Sequence, residues 1–475
     1  MNEIASVPLC VDLDDTLIKS DLLFETILLL GKQSPAYIFA LPFWILKGRG
    51  FLKRQVVLRV RLEIAKLPFR RELIDFLRMQ KKSGRRLVLV TAADQGIADE
   101  INAHLQLFDE AIGSHETRNI KGTTKAELLK DRYGVRGFDY IADSRSDFAV
   151  WRVARRALIV SDSPRFINAV AAVLPVEKIF SKSDRPVNSL LCALRVHQWS
   201  KNLLIFIPII TAHRIFDVPI VLRGFLACVA FSFFSSAVYL FNDLIDLESD
   251  RAHLTKRHRA VAAGELSIFG ASALCVALLA AGAGVGWFCG PAFLLLAAIY
   301  VVSNVAYSAW LKRVVMLDVV VLACFYTLRL LAGGAATGIG CSDWLLAFSV
   351  FFFFCLAMVK RYSELRGLVD LAHEAPGRGY FRTDLEAIGT FGVGSGLISV
   401  LVLVLYVMSP EVRLLYAQPR LLLLLCPLFL YWITRLWFKA HRGEVPEDPV
   451  VFATTDRTSY FAGILAALVL YAATV

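Results

Sequence analysis

Two rhythms of apolar and polar residues divide the chain. Up to about residue 190, short apolar runs alternate with helical stretches. From Leu203 on, the apolar runs are long enough to span, or nearly span, a bilayer. In the first part Val7–Val11, Arg86–Val90, Tyr140–Ala142 and Ala157–Val160 read as strands. They lead into acidic residues, Thr91, Asp143 and Ser161 in turn. Strands that end in polar residues and alternate with helices predict an open parallel sheet, whose ligands bind beyond the carboxyl ends of the strands. Residues 20–80 read as a helical insertion. Within it Tyr37–Leu46 is apolar and aromatic, and Lys47, Arg49, Lys53 and Arg54 follow. That mix fits either a cap resting on a membrane surface or a buried cap core. Residues 176–190, with Ser181–Pro186, read as a linker between a domain over 1–175 and a second over 191–475.

The second part predicts an all-α polytopic membrane domain. About nine segments qualify as spans, with approximate centres at 209, 231, 278, 300, 324, 350, 400, 428 and 467. Lys and Arg crowd the loops near 251–259, 312–313, 360–382 and 435–457, and are sparse in the alternate loops. The basic loops belong inside. The expected protein is therefore a multi-pass protein of the inner (plasma) membrane. Its N-terminal domain and its sites would be cytoplasmic, and Val475 outside.

Composition agrees. Of 475 residues, 57% are hydrophobic, too many for an ordinary soluble protein. The formal charge of +11 reads mainly as cytoplasmic-loop charge. Nucleic acid has little weight as a partner, because no basic stripe is interleaved with aromatics. The nine cysteines are scattered, without ligand spacing or a disulfide framework. Met1–Pro8 has no signal-peptide pattern.

The most informative stretch is Asn242–Arg251, where Asp243, Asp246, Glu248 and Asp250 lie between two apolar runs. Asn242, Asp246 and Asp250 recur at i, i+4 and i+8, one face of a helix. Carboxylates at a membrane edge are costly unless a cation neutralises them. With Lys256, Arg257 and Arg259 following, they point to Mg²⁺ and a phosphorylated ligand. Arg329 lies inside an apolar run and is a functional candidate on that ground.

The N-terminal part resembles the haloacid dehalogenase (HAD) superfamily, a Rossmannoid α/β fold, here with a small helical cap. The resemblance covers roughly residues 7–165. It rests on Asp12-Leu13-Asp14-Asp15-Thr16 after a strand, Thr91 after the next, Lys125 opening a helix, and Asp143 and Asp147 after a third strand. It implies a phosphomonoesterase. Asp12 would be the nucleophile, and Asp14 would protonate the leaving alkoxide and then activate water. Thr91 and Lys125 would hold the phosphoryl oxygens, with Lys121 as a rival for the Lys role. Asp143, supported by Asp147, would hold Mg²⁺ with Asp12 and the carbonyl of Asp14.

The second part resembles the UbiA superfamily of intramembrane transferases, through Asn242-Asp243, Asp246 and Asp250. Many members carry a second aspartate pair in the region that here reads Tyr307–Arg313 and Leu317-Asp318; this chain has only Asp318. That departure, with Arg195–Asn202, Lys360–Leu365, Asp448–Ala453 and Asp456-Arg457, is similar to the decaprenyl-phosphate phosphoribosyltransferases. Ala260 stands where that branch often has Pro. The resemblance implies a bifunctional membrane enzyme of the cell envelope. Phosphoribosyl pyrophosphate (PRPP) would be the donor and a polyprenyl phosphate the acceptor, and the HAD domain would then remove the 5-phosphate. Mg²⁺ would sit on Asn242, Asp246 and Asp250. Lys201, Asn202, Lys256, Arg259, Tyr307, Lys312, Asp318, Arg329, Lys360 and Arg361 would bind the phosphates. Arg257, Arg313 and Arg366 read either as ligands or as positive-inside charges. Two other readings remain: a prenyltransferase that moves a polyprenyl pyrophosphate onto an aromatic acceptor, and a lipid-binding anchor for the phosphatase. An oligomer is compatible with the sequence.

Overall fold

The computed structural model describes residues 7–115, 118–182, 186–367, 378–445, 449–453 and 455–474. Expectations for Ser183–Arg185, the 368–377 part of the basic loop 360–382, Asp448 and Val475 lie outside them. The chain forms two compact units: 1–194 with 239–275, and 195–238 with 276–475.

The first unit is built on a six-stranded sheet of order β3-β2-β1-β4-β5-β6, all parallel. The strands are β1 (Leu9–Val11), β2 (Leu87–Asp94), β3 (Glu110–Ser114), β4 (Asp139–Ala142), β5 (Ala157–Val160) and β6 (Val176–Phe180). Side-chain alternation sorts them into two cores. Leu9, Val11, Leu87, Leu89, Ile141 and Leu158 pack with Leu73, Leu77 and Ile101. Cys10, Val88, Val90, Tyr140, Ala157 and Ile159 pack with Leu129, Trp151 and Val170. Both faces of the sheet are therefore covered, which is why its strands read as continuous apolar runs.

Three expectations change. Thr91 lies inside β2, which continues to Asp94. The expected linker contains β6, which pairs in parallel with β5. β3 was not anticipated either. The opposite, N-terminal edge of the sheet holds a buried ion cluster in which Arg85 and Arg155 both bind Asp139.

The cap has its own small core of Leu29, Leu30, Leu52, Val56 and Val60, between helices Leu22–Gln33 and Arg49–Val57. From Pro35–Leu46, Leu41 and Trp44 pack against that core, while Phe39, Phe43 and Leu46 are 80%, 68% and 84% exposed. Lys53 and Arg54 both find partners on the sheet, although the Arg54 side chain is 40% exposed. Arg54 pairs with Asp94 at 3.3 Å, and Lys53 reaches the carbonyl of Ala92.

Among the described residues, eight helices are long and apolar enough to cross a membrane: Val218–Ile245, Ile268–Cys289, Pro291–Ala309, Leu317–Thr337, Asp343–Arg366, Arg382–Met408, Pro419–Arg442 and Arg457–Thr474. The expected span near 209 is instead a 3₁₀ stretch, Val196–Phe206, and a five-residue helix, Ile207–Thr211. Lys360 and Arg361 belong to helix Asp343–Arg366 rather than to a loop.

Candidate functional sites

The first site lies at the carboxyl end of β1. At β1 the strand order reverses, with β2 and β3 on one side and β4, β5 and β6 on the other, the place where open parallel sheets bind ligands. Asp12 leaves the strand with its N–H on the Ile141 carbonyl, 3.0 Å away. The chain then turns tightly through Leu13–Leu17, with Asp15 left-handed at φ 56°.

Asp12, Asp143 and Asp147 each offer one carboxylate oxygen, all within 4.8 Å of one another. Three carboxylates so close repel unless cations separate them. Lys125 Nζ lies 2.6 Å from Asp12, and Lys182 Nζ 2.7 Å from Asp143. Lys125 also donates to the Tyr140 hydroxyl at 3.0 Å, which donates to Asp147 at 2.8 Å. The oxygen-only donor set and its spacing fit a hard divalent cation. Lys121 is exposed, so Lys125 is the lysine at the site. Asp14 turns elsewhere: its carboxylate accepts from the Leu22 N–H at 2.9 Å. Thr91 is fully buried, and its hydroxyl accepts from the Ala93 N–H at 2.9 Å.

Burial raises these acids. Asp12 is pushed up to about 7, Asp14 to about 8 and Asp143 to about 6. Burial draws Lys125 down, but Asp12 and Asp147 outweigh it and hold the amine protonated above its ordinary value. Lys53 is a site residue the sequence did not single out. It also lies 3.3 Å from Asn119 Oδ1; burial lowers its pKa, and Asp14 and Asp21 oppose that. Its place among the cap's basic residues gave no signal. Lys182 was hidden in the expected linker.

The second acid group follows helix Val218–Ile245. The three motif residues do not share one uninterrupted helix. Asp246 sits at a break, and helix Leu247–Ala252 follows. The i→i−4 bonds nevertheless continue from Asp246 N to Asn242 O at 2.9 Å and from Asp250 N to Asp246 O at 2.8 Å. Arg259 joins Asp250 at 2.6 Å and Asp243 at 3.1 Å. Asp243, only 4% exposed, is thus an additional acid of this group. Burial raises Asp250 against the pull of Arg259. Lys256 is half-buried in the turn Lys256–His258.

Several expected ligands of the membrane part bind the protein itself. Arg329 donates to Asn202 Oδ1 (2.9 Å), the Phe325 carbonyl (2.6 Å) and the Tyr300 hydroxyl (3.1 Å). Asn202 in turn donates to Ser232 at 2.9 Å. Arg329 and Asn202 therefore tie the 3₁₀ stretch Val196–Phe206 to the helices. Asp318 is fully buried. It pairs with Arg361 and accepts from the Tyr380 hydroxyl at 2.6 Å. Arg361, 1% exposed, also pairs with Glu364, and Arg378 lies 3.8 Å from Asp318. The sequence reading missed Arg378 and Tyr380, which are distant in sequence from Asp318. Tyr307 packs on Phe325. Lys201 is buried near the ring of Tyr326, and Lys312 and Lys360 are half-buried. Arg435 holds Asp456 with two bonds of 2.8 and 2.9 Å, a structural pair.

Comparison with known proteins adds family context. Residues 204–452 match the UbiA prenyltransferase family. An uncharacterized protein, y4nM, of Sinorhizobium fredii (strain NBRC 101917 / NGR234) is 39% identical over 466 residues, 97% of this chain and 90% of that protein. Nodulation protein NoeC of Azorhizobium caulinodans is 35% identical over 271 residues, 56% of this chain and 87% of NoeC. The decaprenyl-phosphate phosphoribosyltransferase of Corynebacterium glutamicum is 35% identical over 189 residues, 39% of this chain and 55% of that enzyme. With its apolar helices and its acid-bearing turn after the helix Val218–Ile245, the chain belongs to the UbiA prenyltransferase family.

Proposed function

We propose that the protein is a bifunctional membrane enzyme. It moves 5-phosphoribose from PRPP onto a polyprenyl phosphate and then removes the 5-phosphate, leaving a polyprenyl-phosphoryl ribose. The observation that carries the transferase half is Asp318. A prenyl-pyrophosphate enzyme with two metal-binding acid motifs needs a free second acid group. Among the described residues of the second motif region, Asp318 is the acid in question, and it is buried against Arg361 and Tyr380. The likeness to a decaprenyl-phosphate phosphoribosyltransferase supports the same branch.

Mg²⁺, when bound, supplies neutralisation of the pyrophosphate charge and of the phosphomonoester charge. Asn242, Asp246 and Asp250 would hold it in the transferase; Asp12, Asp143 and Asp147 would hold it in the sheet domain. In the transferase, the lipid phosphate oxygen attacks the ribose C1, and the C1–O bond to pyrophosphate breaks. A phosphate anion needs no strong base. Lys256 and Arg259 lie beside the acids to balance phosphate charge.

In the sheet domain, the close placement of Asp12, Asp143, Asp147 and Lys125 supports HAD-type chemistry. Asp12 Oδ attacks phosphorus, the bond to the ribose O5 breaks, and an aspartyl-phosphate forms. Lys125, 2.6 Å from Asp12, neutralises charge that develops there. Asp14, raised to about 8 by burial, still carries a proton near neutrality and donates it to the leaving alkoxide. It then accepts a proton from the water that cleaves the aspartyl-phosphate. We further propose that both sites face the cytoplasm of the inner membrane, where the positive-inside pattern puts the basic loops.

The test is incubation of membranes with labelled PRPP and a polyprenyl phosphate. Labelled lipid supports the reading. Prenyl transfer from a polyprenyl pyrophosphate to an aromatic acceptor without PRPP turnover sinks it.

A further inference from the structure

Glu25 and Arg251 have no part in either reaction, yet they form one of the most buried ion pairs in the first unit. Their side chains are 2% and 6% exposed. Glu25 lies in the first turn of the cap helix Leu22–Gln33. Arg251 follows Asp250 of the acid-bearing turn. The second Glu25 oxygen accepts from the Ser20 hydroxyl at 2.7 Å, and Arg251 Nε donates to the Ala262 carbonyl at 3.2 Å. The guanidinium thus bridges the cap helix to both arms of the 246–264 loop. Charges this buried are costly unless partnered, so each member holds the other in place.

The surroundings are fitted to this contact. Lys32 and Glu248 approach to 3.9 Å, and the Phe24 and Phe269 rings lie 5.5 Å apart. Gly264 has φ +72°, and a Cβ there would fall 2.5 Å from the Lys19 carbonyl oxygen. Only glycine permits that approach without a shift.

Short links reach both acid sites from the pair. On one side, Leu22 N–H binds Asp14, and Glu25 stands one helical turn later. On the other, Arg251 adjoins Asp250, which Arg259 binds. We propose that Glu25–Arg251 is a positioning pair: docking of the sheet domain sets the acid-bearing turn, and the carboxylates of the transferase are correctly placed only in the docked state. The catalytic side of this rests on the transferase reading; the positioning side does not.

The test uses the full chain in nanodiscs. Glu25→Gln should raise amide hydrogen exchange across 246–264. It should also weaken PRPP transfer by about ten- to a hundredfold and raise the Mg²⁺ concentration needed, as loss of a charge-assisted bond does. Hydrolysis of p-nitrophenyl phosphate should be unchanged. The charge swap E25R/R251E should restore both protection and transfer. Unchanged exchange in Glu25→Gln overturns the proposal, as does Arg251→Gln abolishing transfer while Glu25→Gln does not, which would make Arg251 a ligand. A swap with normal p-nitrophenyl phosphate hydrolysis but no restored protection also overturns it. If the swap does not fold, Glu25→Gln alone decides. Altered exchange in a protein that never turns over PRPP would uphold the positioning and reject the transferase assignment.

Discussion

Lys53 ties the cap to the end of β2, beside the acids of the sheet domain. It comes from helix Arg49–Val57 and ends on Ala92 and Asn119, within the electrostatic reach of Asp14. Lys53→Met should lower kcat/KM for phosphomonoester hydrolysis by about tenfold, the effect of losing one charged contact, with little change in Tm. An unchanged kcat/KM would mean that the lysine serves only the cap fold. The raised acids make a second claim. An aspartate whose folded pKa lies above its unfolded value of about 3.9 binds its proton more tightly when folded. Ionising it therefore removes stability as pH climbs from about 4 to the folded value. For Asp143, Asp12 and Asp14 those values are about 6, 7 and 8. Metal-free protein should lose Tm between pH 5 and 8, and added Mg²⁺ should restore more at pH 8 than at pH 5. Asp12→Asn should flatten the slope; a Tm that rises over this range contradicts the assignment. The acids were legible because they follow apolar strand runs, and Lys125 because it opens a helix. Lys53 and Lys182 were not legible, because nothing local ties a cap lysine or a post-strand lysine to a distant carboxylate.

Helices of the membrane part are joined by buried polar pairs as well as by apolar packing. Arg361 of Asp343–Arg366 reaches Asp318 at the start of Leu317–Thr337. On sequence alone Arg361 reads as a phosphate ligand; its 1% exposure changes the expected phenotype. Arg361→Ala leaves Asp318 short of a partner, at a cost of about 3–5 kcal/mol. Tm should fall, and use of PRPP and of a ribose pyrophosphate lacking the 5-phosphate should fall together. Asp318→Asn with Arg361→Gln should recover much of the Tm. A selective loss of PRPP use with an unchanged Tm would restore the ligand role. The apolar runs gave eight of the nine expected spans, because length and hydropathy suffice for a long helix. They misjudged the segment at 209, which is broken into a 3₁₀ stretch and a short helix that has Pro208 in its first turn. The acid motif was placed on one helical face, and the break at Asp246 keeps the i→i−4 bonds while ending the first helix.

At the scale of the molecule, the parallel sheet and the apolar helix domain were both legible, since each is written in a simple period. The division into units was not. The acid-bearing turn, which sequence assigns to the membrane part, folds into the unit of the sheet domain. That partition depends on pairs such as Glu25 with Arg251, which no local pattern announces. It also gives the central claim its sharpest form: two acid sites performing consecutive steps on one lipid. The most direct measurement is lipid extraction after labelled PRPP is given to membranes carrying wild type, Asp246→Ala or Asp12→Asn. Wild type should yield dephosphorylated polyprenyl-phosphoryl ribose, Asp246→Ala no labelled lipid, and Asp12→Asn a labelled lipid that retains its 5-phosphate. Loss of all lipid label in Asp12→Asn, or full dephosphorylation by it, would contradict the account.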